Sequence, residues 1–165
     1  MLRRSKSGRS AKADGSDGQV SKGVLIVNDD EDVCELMCRV VQSRTGLVAH
    51  RAHSSDGAID ELTTHQGSID AVVLDFTGGT AASFVVLDAV RHRPELGDPA
   101  VVIIATTTAN RVLAFDSGVD EFLTRPFQAD DFLDVIERVL ARSTDEREAY
   151  RTQQAMASRG LGSLD

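Results

Sequence analysis

The sequence predicts an α/β fold, a doubly wound five-stranded parallel sheet with helices on both faces. Short runs of wholly apolar residues, of which Val101–Ala105 is the clearest, are typical of strands buried on both faces. Between these runs lie longer segments in which apolar residues recur at helical spacing. Regular alternation of strands with helices favours a parallel sheet, and right-handed crossovers place helices on both of its faces.

The first half of the body supplies two strands and two helices. Val24–Val27 predicts the first strand, and acidic residues follow it directly. The next segment predicts a helix with the apolar stripe Val33, Leu36, Met37, Val40 and Val41. A second strand is predicted at Leu47–His53, after which Ser54 or Ser55 caps a helix that reaches about His65.

The second half continues the alternation with three more strands. The third strand is predicted at Ala71–Leu74, and a glycine-rich loop leads from it to a helix at about Ala81–His92. The fourth strand, Val101–Ala105, precedes a short helix at about Asn110–Asp116, and the fifth strand is Val119–Thr124. A last helix is predicted from the apolar stripe Phe132, Leu133, Val135, Ile136, Val139 and Leu140.

Charge divides the chain into a leader, a body and a tail. Residues 1–22 carry six basic and two acidic side chains, and we interpret them as a disordered basic leader. The rest of the chain carries twelve basic and twenty-four acidic side chains, an imbalance that argues against nucleic-acid binding. We predict that residues 23–142 form one domain and that residues 143–165 form a helical extension or a disordered tail.

The sequence gives no indication of a membrane segment or of a metal-binding cluster of cysteines or histidines. No apolar run approaches the roughly 18 residues that cross a bilayer, and no secretory signal is present, so we expect a cytoplasmic protein. Cys34 and Cys38 share a predicted helix face, where small buried hydrophobes are the favoured interpretation. The histidines are interpreted as scattered surface residues, namely His50, His53, His65 and His92.

Polar side chains follow four of the predicted strands. Asn28 and Asp29 come after the first strand, Asp75 after the third, Thr106 after the fourth and Arg125 after the fifth. In parallel sheets these positions meet at one edge. Two carboxylates there repel each other unless a cation offsets them, and Mg²⁺ takes one or two carboxylates together with waters and a phosphate. A hydroxyl and a cation opposite them suit the outer oxygens of a phosphoryl group.

Over about residues 23–142 the sequence resembles the receiver domain of bacterial two-component response regulators. The motifs VLIVNDDEDV, AVVLDF, IIATT and EFLTRPF occur in the order and at the spacing of that family. The resemblance implies the flavodoxin-like receiver fold. It also implies transfer of a phosphoryl group from a histidine kinase or a phosphotransfer protein to an aspartate, with Mg²⁺ as the cofactor.

The resemblance assigns the phosphoacceptor and the metal ligands. Asp75 falls on the phosphoaccepting aspartate, and Asp29 falls on the acid that binds Mg²⁺ directly. Asn28 falls on the neighbouring acid, which is often linked to the metal through water. Asp75 itself and the backbone carbonyl of Thr77 complete the implied ligand set.

The resemblance also assigns the residues that contact and read the phosphoryl group. Thr106 falls on the hydroxyl that contacts it, and Phe122 falls on the aromatic switch. Arg125 falls on the family's lysine, and Pro126 falls on the proline whose preceding peptide bond is cis in the family.

Four features depart from the family pattern. Asn28 replaces an acid, and Arg125 replaces a lysine with a planar, bulkier cation. Gly79 and Ser83 stand where the family has a proline and a glycine. The fourth helix is predicted to be shorter than is usual in the family.

Three functions are compatible with these patterns. The first is a single-domain response regulator, not an enzyme, that signals by protein contact and has homodimer formation as an option. The second is a receiver-like interaction module that does not depend on phosphorylation. The third is a phosphatase of the haloacid dehalogenase type, disfavoured because Thr77 cannot serve as its general acid and because Asp130 and Asp131 are predicted to open a helix.

Overall fold

Five parallel strands form a single sheet in the computed structural model of the chain, which describes residue 18 and residues 20–160. The strands are β1 (Lys22–Val27), β2 (Leu47–Ala52), β3 (Ala71–Leu74), β4 (Ala100–Ala105) and β5 (Glu121–Thr124). They lie side by side in the order β2-β1-β3-β4-β5, and every pairing is parallel. The predicted doubly wound fold is confirmed. The predicted leader, residues 1–22, lies outside the described residues except near its end.

Helices cover both faces of this sheet. They are α1 (Glu31–Gln42), α2 (Ser55–Thr64), α3 (Ala81–His92), α4 (Arg111–Asp116), α5 (Ala129–Ala141) and α6 (Thr144–Gly160). The side chains of α1 and α5 form one hydrophobic core with the sheet, and those of α2, α3 and α4 form the other. The short α4 that the sequence predicted is therefore present. Among the described helices, none combines the length and the apolar character that crossing a membrane requires.

The buried face of α1 differs from the stripe that the sequence predicted. Leu36 is 61% exposed, so its assignment to the core was wrong. Met37 and Val41 of the predicted stripe are buried, and Cys34 and Cys38 complete the buried face at the spacing of one helix face. Both cysteines are free and buried, as predicted. Burial is the main cause that raises the pKa of the Cys34 thiol to about 11.

The segment after α5 folds back onto the domain. The backbone of Arg142 is extended, so α5 ends and α6 starts in a new direction. Helix α6 packs beside α4, where Tyr150 meets the ring of Phe115 edge-on and Arg159 pairs with Asp116. Residues 144–160 thus form a separate helix rather than a continuation of α5 or a frayed end.

A buried carboxylate anchors α6. Asp120 is completely buried before β5 and accepts hydrogen bonds from Arg91 at 2.8 Å, Arg147 at 3.0 Å and Arg151 at 2.9 Å. Burial acts to raise the pKa of Asp120, but the hydrogen bonds and charges of the arginines outweigh it and hold the pKa below its usual value. Two of these arginines come from α6, so the position of this helix depends on Asp120.

Candidate functional site

A cleft of about 360 Å³ opens at the carboxyl ends of the central strands. It lies where strand order reverses in the sheet, the usual place for a functional site in this fold class. Most of the side chains predicted from the strand ends meet there. Its polar lining includes Asn28, Asp75, Thr77, Thr106, Asn110 and Arg125.

Asp75 occupies the floor of the cleft, directly after β3. It is 6% exposed, and its Oδ2 accepts hydrogen bonds from Nδ2 of Asn28 at 3.0 Å and from the guanidinium of Arg125. Within the described part of the chain no hydrogen bond reaches its other oxygen, Oδ1. Burial raises the pKa of Asp75, and the hydrogen bond and charge of Arg125 offset only part of that effect. Oδ2 is thus fixed by two donors, whereas Oδ1 is not engaged by a hydrogen bond from the described residues.

Asn28 faces Asp75 with its donor group. Its Oδ1 accepts the backbone N–H of Asp30 at 2.8 Å, which directs Nδ2 towards Asp75. The backbone carbonyl of Asn28 lies 3.0 Å from Nδ1 of His53, which holds the end of β1 in place. An aspartate in place of Asn28 would bring a second negative charge beside Asp75, whereas the amide donates a hydrogen bond to it.

Asp29 joins the loop after β1 to the loop after β3. Its two carboxylate oxygens accept the backbone N–H of Thr77 at 2.8 Å and the hydroxyl of Thr77 at 2.7 Å. The hydrogen bond from the Thr77 backbone, and after it the one from the Thr77 hydroxyl, lower the pKa of the exposed Asp29. The charge of Asp29 in turn acts to raise the pKa of Asp75.

The oxygen donors around Asp75 fit a hard divalent cation. Two carboxylates, from Asp29 and Asp75, lie in adjacent loops, and the backbone N–H of Thr77 donates a hydrogen bond to Asp29. Mg²⁺ prefers such oxygen donors and keeps several waters. The side-chain oxygens of Asp29 and Asn28 accept hydrogen bonds in this structure, from Thr77 and from Asp30, so a cation bound by them would replace those hydrogen bonds.

The opposite wall of the cleft carries a hydroxyl and a cation. Thr106 follows β4, is exposed and lines the cleft. Arg125 follows β5, where its backbone N–H donates to Ala105 at 2.9 Å and its guanidinium lies 5.2 Å from the ring centre of Phe127. The peptide bond between Arg125 and Pro126 is cis.

Phe122 lies outside the cleft, in the hydrophobic core beneath it. It is 6% exposed and packs in the cluster that α2, α3 and α4 form with the sheet. Its backbone carbonyl accepts a hydrogen bond from Arg111 at 3.4 Å, which ties β5 to the start of α4. The aromatic ring is therefore in an inward position in this structure.

A hydrogen bond that the sequence did not predict joins two loops that line the cleft. Nδ2 of Asn110 donates to the hydroxyl of Thr80 at 2.8 Å and so joins the loop after β4 to the loop after β3. The loop after β3 turns at Gly79, whose φ of +107° is a conformation that favours glycine. Asn110 and Thr80 are thirty residues apart, and each had been interpreted only as part of a helix start or a loop. No sequence pattern linked them.

Comparisons with known proteins converge on one family. The family model described as "Response regulator receiver domain" matches residues 24–137. The nitrogen assimilation regulatory protein NtrX of Azorhizobium caulinodans is 27% identical over 133 residues, which cover 79% of this chain and 29% of that protein. The transcriptional regulatory protein KdpE of Mycobacterium tuberculosis is 28% identical over 122 residues, which cover 73% of this chain and 52% of that protein. The chain thus spans about half or less of these curated relatives.

Solved structures show the same fold. A signal receiver domain from Bermanella marisrubri has a TM-score of 0.65 at 24% identity, covering 73% of this chain and 98% of that chain. The chemotaxis protein CheY4 of Vibrio cholerae has a TM-score of 0.64 at 19% identity, covering 73% of this chain and 99% of that chain. At these identities the likeness concerns the arrangement of strands and helices.

Proposed function

The chain belongs to the response regulator receiver family, and from this premise we propose that Asp75 accepts a phosphoryl group from a histidine kinase or a phosphotransfer protein. The observation that carries the proposal is the state of the Asp75 carboxylate. Its Oδ2 is held by Asn28 and Arg125, and its Oδ1 has no hydrogen-bond partner among the described residues. An oriented carboxylate with one free oxygen is suited to nucleophilic attack.

The proposed step is an in-line transfer. Oδ1 of Asp75 attacks the phosphorus of a phosphohistidine, the N–P bond breaks, and its electron pair stays on the imidazole nitrogen. The product is an acyl phosphate on Asp75. Little covalent chemistry is left for other residues, so positioning and charge dominate. Mg²⁺, held by Asp29, Asp75 and the carbonyl of Thr77, would supply charge neutralisation for the transferring oxygens.

Arg125 and Thr106 complete the acceptor site in this proposal. The guanidinium that now pairs with Asp75 lies within reach of a phosphoryl group attached to Asp75, and arginine binds phosphate through two parallel hydrogen bonds. The hydroxyl of Thr106 donates to a third oxygen. A shift of Thr106 towards the phosphoryl group then couples to the inward ring of Phe122, which gives the switch two positions.

We further propose that the output is contact with another protein in the cytoplasm. The acidic body gives no support to nucleic-acid or membrane binding. Homodimer formation is a further option, and it must accommodate α6, which lies against α4 through Arg159–Asp116 and Arg111–Gln154 contacts. The match covers 29% of NtrX and 52% of KdpE, and the proposal concerns only the receiver part that they share with this chain.

A second candidate function is an interaction module that does not depend on phosphorylation. The observation in its favour is that Asn28 and Arg125 already satisfy Oδ2 of Asp75, an arrangement that would also stabilise a permanent resting state. A phosphatase of the haloacid dehalogenase type gains no support, because Asp130 and Asp131 lie in the first turn of α5 and the chain belongs to another family.

Acetyl phosphate with Mg²⁺, followed by intact-mass measurement, separates the two candidates. We expect a gain of about 80 Da, one phosphoryl group, that is absent in Asp75→Asn and absent when Mg²⁺ is chelated. A matched control is Asp70→Asn, which alters a carboxylate at the opposite end of the sheet. No gain with either acetyl phosphate or a phosphohistidine donor would favour the interaction module.

A further inference from the structure

Three side chains of metal-ligand type meet at the outer edge of the sheet. His50 lies on the edge strand β2, Glu61 lies on α2, and His65 lies at the C-terminal end of α2. One ligand atom from each lies within 4.8 Å of the other two. None of the three lines the cleft around Asp75, so the cluster is separate from the proposed phosphoacceptor site.

The distance between the ligand atoms of Glu61 and His65 suits a small tetrahedral ion. Nε2 of His65 lies 3.4 Å from Oε2 of Glu61. Two ligands of a tetrahedral Zn²⁺ ion, with bonds of about 2.0–2.1 Å, are separated by about 3.3 Å. The ring centres of His50 and His65 are 4.7 Å apart with planes tilted by 49°, so the rings are angled to each other and not stacked in parallel.

The carboxylate of Glu61 has no arginine or lysine partner within the described part of the chain. Glu61 lies against the imidazole of His65, whereas the buried Asp120 and Glu121 are paired with arginines. Two imidazoles at 4.7 Å repel each other when both are protonated. A neutral imidazole is the form that binds a metal.

We propose that His50, Glu61 and His65 bind one Zn²⁺ ion, with water as the fourth ligand. Two imidazole nitrogens and one carboxylate suit zinc, whereas Mg²⁺ prefers oxygen ligands in octahedral geometry. The side chains of Glu61 and His65 are 35% and 41% exposed, which leaves access for water. The ion would join β2 to the end of α2. It would therefore bind the folded chain in preference to the unfolded one and stabilise it.

Other zinc ligands in the chain are poorly placed to compete. Cys34 and Cys38 are buried thiols whose pKa values burial raises, so the thiolate form that binds zinc is scarce. His92 offers a matched control because it pairs with Asp88 one helical turn away at 3.0 Å, as His65 does with Glu61. The metal-ligand cluster found among the described residues does not include His92.

Calorimetric titration of the full chain with Zn²⁺, in excess Mg²⁺ and without an affinity tag, tests the proposal. We expect one Zn²⁺ per chain and a rise in Tm on binding. His50→Gln and His65→Gln are each expected to weaken binding by about tenfold or more, since even outer-shell changes cost 10–100-fold. His92→Gln is expected to bind as the native chain does. Circular dichroism checks that each variant is folded.

A Glu61→Gln variant and the visible spectrum of a Co²⁺ complex provide two further tests. If His50→Gln fails to fold, Glu61→Gln on the accessible face of α2 takes its place, with the same expected loss. Co²⁺ in place of Zn²⁺ should give the visible bands of a tetrahedral nitrogen and oxygen site without a thiolate charge-transfer band. No zinc binding by the native chain, unchanged binding in these variants, or a thiolate band would overturn the proposal.

Discussion

The guanidinium of Arg125, at the end of β5, donates a hydrogen bond to Oδ2 of Asp75, at the end of β3. The two side chains come from strands separated by β4, and they meet across the cleft at the carboxyl edge of the sheet. Arg125 is 38% exposed and Asp75 is 8% exposed in their side chains, so the cation bridges solvent and a buried acid. The receiver family that the sequence resembles has a lysine at the position of Arg125, so the cation of this pair is a departure from the family.

Arg125→Lys is expected to keep the fold and to retain or improve phosphorylation of Asp75. Lysine is a compact point charge that still reaches a phosphoryl oxygen, and it replaces the planar guanidinium that binds Oδ2 of Asp75 in the resting state. The rate of the mass gain with acetyl phosphate and Mg²⁺ measures this. Loss of a phosphorylation that the native protein shows would mean that the arginine is a specific adaptation.

Asn28→Asp is expected to strengthen Mg²⁺ binding by about tenfold, equivalent to about 1.4 kcal/mol. The added carboxylate supplies a negative charge beside Asp75 and removes the hydrogen bond that Nδ2 donates. Without Mg²⁺ the same change should lower the Tm, because like charges then face each other in a buried site. Thermal unfolding with and without Mg²⁺ measures both effects, and a variant with unaltered Mg²⁺ dependence would argue against this metal site.

Asp75→Asn is expected to raise stability at neutral pH in the absence of Mg²⁺. Burial raises the folded-state pKa of Asp75 above its ordinary value of 3.8. As pH rises from 3.8 through that folded-state pKa, Asp75 loses its proton in the unfolded chain before it does so in the folded chain. Ionisation of Asp75 therefore lowers the free energy of unfolding, and this loss of stability persists at higher pH. Tm measured against pH should therefore show a gain for Asp75→Asn at neutral pH that vanishes below pH 3.8.

Asp29→Asn is the matched control, with the opposite sign. Hydrogen bonds from Thr77 lower the pKa of Asp29 below 3.8. Its contribution is therefore present above pH 3.8 and is lost as pH falls through the lowered folded-state value. The variant should lower the Tm at neutral pH, and an equal response of the two variants would contradict the assigned environments.

Asp120→Asn is expected to destabilise the chain by about 3–5 kcal/mol, because it leaves the buried arginines without their counter-charge. Asp98→Asn is the control, since Asp98 contacts Arg91 and Arg147 but is 56% exposed, and its loss should cost about 0–1 kcal/mol. Urea unfolding of both variants measures the difference. Equal costs would mean that Asp120 does not anchor α6.

The position of the cleft at the carboxyl edge of the sheet was predictable because it depends on strand order. Asp75, Thr106 and Arg125 each follow an apolar strand, and parallel strands bring their carboxyl ends together whatever the loops do. The same argument did not reveal what the side chains bind. The side-chain oxygen of Asn28, for example, accepts a hydrogen bond from Asp30, and its amide faces Asp75. Such orientations depend on hydrogen bonds that spacing does not encode.

Features that rely on side-chain direction were missed. His50 and His65 were interpreted as scattered surface residues, but the face of β2 that carries His50 is the one against which α2 packs. The course of α6 was also unforeseen, because it is anchored by Arg147 on Asp120 and not by a strong apolar stripe. Both cases need knowledge of which elements touch before the sequence can be interpreted.

The central claim is that Asp75 accepts the phosphoryl group, and locating the modification tests it most directly. After treatment with acetyl phosphate and Mg²⁺, borohydride reduction and trypsin digestion, the account predicts that the modified residue is Asp75 in the peptide that spans residues 52–91. The signal should be absent from Asp75→Asn. A modification on another acid such as Asp29, or the same signal in Asp75→Asn, would contradict the account.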